Sequence, residues 1–184
     1  MKRRILAALP VLVTLLYPLL VWLGHGEVEP RLLAGVLVLA ALLRLHAMES
    51  GKAGRWWLAG ALLLALAAAW GNAWMPLKLY PVLVNALLLG AFGYSLVAPP
   101  SLIERLARIK EPDLPPYAVQ YTRRVTQVWC VFFFINGAIA LWTALCASPA
   151  VWSLYNGVIA YALMGSLFGG EYLVRLRFQH RNNG

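Results

Sequence analysis

The side chains best suited to polar chemistry form two small groups. Arg123 and Arg124 are adjacent, with Gln127 three residues on, and Glu171 stands four residues before Arg175. Paired guanidinium groups can grip a phosphate through several parallel N–H donors. A glutamate and an arginine four residues apart share a helix face and can form an ion pair. Two readings stay open. In the first, Glu171, Arg123, Arg124 and Gln127, with Arg105, Arg108 and Arg175 nearby, form a dock for a lipid headgroup or a protein partner. In the second, Glu171–Arg175 anchors a helix end and the arginine pair is a plain charge anchor.

Other chemistry is absent from the pattern. His25, His46 and His180 lie on different segments, and no metalloprotease, nucleophile-elbow or phosphate-loop motif is present. Cys130 and Cys146 are sixteen residues apart in one apolar run. On a helix that is ~24 Å, too far for a disulfide. No catalytic, cofactor-binding or metal-ligating set is expected.

The elements that carry these groups are set by composition. Of 184 residues 61% are hydrophobic and 12% charged, more apolar surface than a soluble domain of this length can enclose. The net charge of +9 does not point to nucleic acid, because the basic residues sit in short clusters between apolar runs. Six runs approach the ~20 residues a membrane span needs, at about 5–23, 32–45, 57–74, 79–97, 126–145 and 151–174. The first, behind Met1-Lys2-Arg3-Arg4, reads as a retained span rather than a cleaved signal. The second is the shortest and ends at Arg44, which can snorkel.

Six spans place fourteen of the sixteen Lys and Arg residues on one side, leaving only Arg31 and Lys78 opposite. Without the second span the division becomes twelve to four. The sharper asymmetry puts both termini in the cytoplasm. Trp22, Trp70, Trp74, Trp142 and Trp152 then gather at the outer interface, and Trp56 and Trp57 at the inner one. The expected fold is an all-α integral membrane protein: one domain over 1–184, a six-helix transmembrane bundle in a bacterial inner membrane.

Residues 99–125 form the long cytoplasmic connection. Ser101-Leu102-Ile103-Glu104 has capping-box form, and Leu102, Ile103, Leu106 and Ile109 recur at helical spacing. This predicts a short amphipathic helix at the membrane interface, either a dock or a connector that seats the loop. Within the spans, Asn85, Asn136 and Asn156 are suited to interhelical hydrogen bonds. Gly165 and Gly169 form a G-x-x-x-G on the last span, suited to close helix packing inside the chain or between two copies. No acid or base lies near mid-membrane, which ranks proton-coupled transport low. Pro10-Val-Leu-Val and Pro81-Val-Leu-Val echo one another at the starts of spans one and four, as an inverted repeat would.

Residues 79–178 resemble the bacterial intracellular septation protein A family, also called the inner membrane-spanning YciB family. The likeness is carried by Leu102-Ile103-Glu104-Arg105-Leu106, a Pro-rich link, the run from Trp129 through Phe132 and Phe133 to Gly137, and Trp152. Tyr121-Thr-Arg-Arg-Val-Thr-Gln-Val-Trp129 resembles an uncharacterised branch found in aryl-polyene, xanthomonadin-type pigment clusters. Arg123-Arg124 and Asn136 depart from the septation pattern. The resemblance implies a non-enzymatic protein of envelope maintenance, septation or lipid homeostasis that organises lipids or partner proteins. Its pigment-cluster side implies a membrane subunit that binds or hands over an acyl or polyene lipid. A small integral transporter or enzyme is the third class. Expected partners are membrane lipids, envelope or pathway proteins and a second copy of the chain, with no nucleic acid.

Overall fold

The computed structural model describes residues 74–182 without a break, with side chains through residue 177, and before them only positions 29, 32, 34–36, 38–39, 59, 62–63 and 66–67. The expected spans at 5–23 and most of 32–45 and 57–74 lie outside the described residues. Every regular element among those described is helical. They are α1 Met75–Lys78, α2 Tyr80–Val97, α3 Leu102–Arg108, α4 Pro116–Cys146, α5 Pro149–Leu154, a π-helical turn Tyr155–Ile159, and α6 Ala160–Asn182.

Three segments are long and apolar enough to cross a membrane: Tyr80–Val97, Pro116–Cys146 and Pro149–Arg177. Large apolar side chains on them stand in the open, among them Val131, Phe134, Trp142, Leu163 and Leu173. Water-soluble monomers rarely leave apolar patches of that extent uncovered.

The helix boundaries follow local chemistry. Pro116 and Pro149 stand at first helical positions, where a missing N–H costs nothing. Ser148 caps α5, its hydroxyl accepting the Val151 N–H at 3.4 Å. The expected fifth span begins at Thr126, whereas the helix starts ten residues earlier at Pro116. Its 31 residues extend ~46 Å, well past the ~30 Å of a hydrocarbon core. Polar side chains along the helices bond back to carbonyls one turn earlier: Thr122 to Val119, Thr126 to Thr122, Thr143 to Ala140 and Ser166 to Ala162. Each hydroxyl thereby supplies its own partner in apolar surroundings.

The chain divides into two compact units. The first comprises residues up to Val84 together with Gly137–Val158. Its core joins Ala34, Leu77, Tyr80, Ala144 and Trp152. Trp152 is fully buried, and its indole N–H donates to the Lys78 carbonyl at 3.1 Å. Asn156, buried in the π turn, donates to the Trp152 carbonyl at 2.9 Å and to the Thr143 hydroxyl at 3.2 Å. The Trp152 carbonyl also accepts the Tyr155 N–H, so the amide adds a second bond where the π turn departs from the regular ladder. The sequence reading places one unbroken span there and does not anticipate the π turn.

The second unit comprises Asn85–Asn136 and the chain from Ile159 onward. Its core is aromatic. Phe92, Trp129 and Phe133 are buried, with Phe92 edge-on to Phe133 at 5.1 Å. Asn136 donates its side-chain amide to Asn85 at 3.1 Å, joining α4 to α2 inside this unit.

Candidate functional site

The second unit contains a cavity of about 430 Å³ bounded by α3, the first part of α4 and α6. From α4 it takes Tyr117, Tyr121, Val125 and Trp129, which recur every four residues along one face. From Tyr117 to Trp129 is twelve residues, so the cleft runs ~18 Å along that helix. Ile103, Leu106 and Lys110 come from α3 and its end, and Phe168, Glu171 and Arg175 from α6.

The cleft is graded along its length. At one end lie Val125, Trp129 and Phe168, with the Trp129 and Phe168 rings 4.5 Å apart. At the other lie Tyr117, Lys110, Glu111 and Arg175, all exposed. Between them the Tyr121 hydroxyl donates to Glu171 Oε1 at 3.2 Å and lies 3.3 Å from the Glu171 carbonyl. Arg175 Nε approaches the same carboxylate oxygen at 3.8 Å, and its guanidinium lies 5.5 Å from the Tyr172 ring centroid. The Glu171 charge is thus held by a phenol and a guanidinium. Among the described residues Lys110 has no carboxylate partner.

α3 is held in place by its own polar side chains. Ser101 N–H donates to Glu104 Oε2 at 3.4 Å, so the glutamate half of the capping box closes. The Ser101 hydroxyl is buried with no partner among the described residues. The Leu102 N–H is instead taken by the Ser95 hydroxyl at 2.9 Å, which itself donates to the Phe92 carbonyl. Glu104 is buried and accepts two bonds from Arg108, at 3.0 and 2.8 Å, while Arg108 also donates to the Pro112 carbonyl. Arg105 donates to the carbonyls of Pro100 and Ala98, closing the loop that leaves α2. The apolar residues of α3 divide: Leu102 and Ile103 pack on the aromatic core, whereas Leu106 and Ile109 are exposed.

The residues singled out by sequence therefore part company. Glu171 and Arg175 line the cavity as an i,i+4 pair. Arg105 and Arg108 bond backbone and Glu104, and neither lines it. Arg123, Arg124 and Gln127 are exposed on α4 and do not line it either. Gly165 and Gly169 are exposed with open space where a side chain would be, so no helix among the described residues packs on them. Tyr121, Trp129, Phe168 and Lys110 belong to the cavity but do not figure in the sequence reading as a site. Only the four-residue recurrence of Tyr117, Tyr121, Val125 and Trp129 signals a shared face. Among the described residues no three His, Cys, Asp or Glu side chains gather as a metal site, and both cysteines are free.

No family model, curated protein or solved structure matches this chain.

Proposed function

We propose that this chain is a six-span protein of a bacterial inner membrane, with both termini cytoplasmic, that organises lipids or partner proteins in envelope maintenance, septation or lipid homeostasis without catalysing a reaction. The observation that carries the reading is the outward apolar surface of three span-length helices. Bare apolar flanks of this size are stable against lipid and unstable in water. The basic-residue asymmetry supplies the side, and the resemblance to the septation family supplies the role.

The test is topological and physiological. Reporter fusions at both termini should be active only in the cytoplasm, and loss of the gene should alter envelope integrity or lipid composition. An external signal at the N-terminus contradicts the six-span arrangement. An unchanged envelope contradicts the role.

The graded cavity favours a second reading, a membrane subunit that binds or hands over an acyl or polyene lipid. On this reading the cavity, rather than the arginine pair, is the binding region. Arg105 serves the backbone, and Arg123 and Arg124 lie on another face of α4. Replacing Arg123 and Arg124 with glutamine is then expected to weaken positive-inside anchoring rather than lipid capture. A complete loss of lipid co-purification in that variant, with normal insertion, would restore the arginine pair as the site.

A further inference from the structure

The cleft beside α3 has the dimensions and polarity gradient of a site for a single chain. Its ~18 Å path along α4 passes from charged and phenolic groups to two aromatic rings in tilted contact. A compact polar solute would leave the Trp129–Phe168 end wet, and a wholly apolar solute would strip water from the Glu171–Arg175 pair. An amphiphile lying lengthwise satisfies both ends. The volume, about 430 Å³, falls within the range of small-molecule sites and is too small for a two-chain lipid.

Charge selects the head. Lys110 stands exposed at the polar end without a carboxylate partner among the described residues, and the cleft's other cation, Arg175, is already neutralised in part by Glu171. Of the charged side chains that line the cleft, Glu171 and Arg175 pair with each other, which leaves Lys110 and Glu111 at the rim. The ammonium of Lys110 is the cation there that can meet an anion. We propose that the cavity takes one acyl chain of an anionic phospholipid, with the chain against Trp129 and Phe168 and the phosphate at Lys110. The proposal rests on the reading of the chain as a membrane protein that handles lipid.

Trp129 makes the site testable, because it is 3% exposed and bulk lipid does not reach it, whereas Phe134 on the same helix is 67% exposed. The full chain is reconstituted in vesicles of phosphatidylethanolamine and phosphatidylglycerol containing a trace of phosphatidylglycerol with a photoreactive acyl chain. After illumination, adducts are mapped by mass spectrometry. Adducts are expected on Trp129 or Val125 as well as on Phe134. Ala118→Trp, which fills the cleft, should abolish the Trp129 adducts and spare those on Phe134. Lys110→Gln, at an exposed position, should lower the Trp129 adducts roughly fivefold, the scale of one basic residue at an anionic surface. Adducts on Phe134 with none on Trp129 or Val125 overturn the site. Trp129 adducts indifferent to Lys110→Gln overturn the choice of an anionic head. A chain retained through carbonate extraction but unlabelled at Trp129 defeats the cavity alone, while a chain released by carbonate defeats the membrane reading as well.

Discussion

Each compact unit buries a tryptophan, and the two are used differently. Trp152 in the first unit has no exposed surface, packs on Leu77, Tyr80 and Ala144, and donates to the Lys78 carbonyl. Its neighbour Asn156 fills the π turn and bonds the Trp152 carbonyl in return. Trp129 in the second unit packs on aromatic rings, makes no hydrogen bond among the described residues, and borders an open cleft. A ring held by both packing and a directed bond fixes one arrangement. A ring held by packing beside a cavity can adjust to what enters. The first unit locks its helices through Trp152, and the second leaves Trp129 beside a cleft.

That contrast can be broken by truncation. Trp152→Ala is expected to destabilise the chain by about 3–5 kcal/mol, the range for large core aromatics. The denaturation midpoint in mild detergent measures it. Trp129→Ala should cost less, because the ring already faces space, and its larger effect should fall on acyl-chain labelling. Equal losses from the two replacements would erase the distinction between the units.

Charge sharpens it further. Glu104 is buried, bonded to Arg108 and to the Ser101 N–H, so Glu104→Ala leaves a donor set without its acceptor. The expected cost is about 1–3 kcal/mol. Glu171→Gln at the cavity keeps the shape and weakens a partly exposed contact at 3.8 Å, with an expected change of about 0–1 kcal/mol. The same unfolding measurement separates them, and a larger loss at Glu171 would make it the structural carboxylate. Smallest is the amide pair: Asn136→Ala should cost ~0.6 kcal/mol beyond the lost packing, read from a double-mutant cycle with Asn85→Ala.

Much of this architecture is legible from local chemistry. The span over 79–97 coincides with α2 to within a residue, and the capping-box pattern marks the start of α3. The early start of α4 was available too, since Pro116 follows Pro115 and suits a first helical position. What escapes a linear reading is the destination of each side chain. Arg105 and Arg108 look like free cations in a basic loop, yet they close carbonyls and a buried carboxylate around α3. Nothing in the spacing of Tyr121 and Glu171, fifty residues apart, announces their bond. The π turn is equally hidden, because one extra residue in a continuous apolar run leaves no compositional mark.

The proposed six-span arrangement sets α4 across a membrane with the α3 side in the cytoplasm. Its most direct test is labelling of single cysteines by an impermeant maleimide in intact and opened cells. With Cys130 and Cys146 replaced by alanine, cysteine is introduced by Lys110→Cys or Ser148→Cys, flanking the helix. Labelling is expected through Ser148→Cys in intact cells and through Lys110→Cys only after opening. Labelling of both from the same side would contradict it.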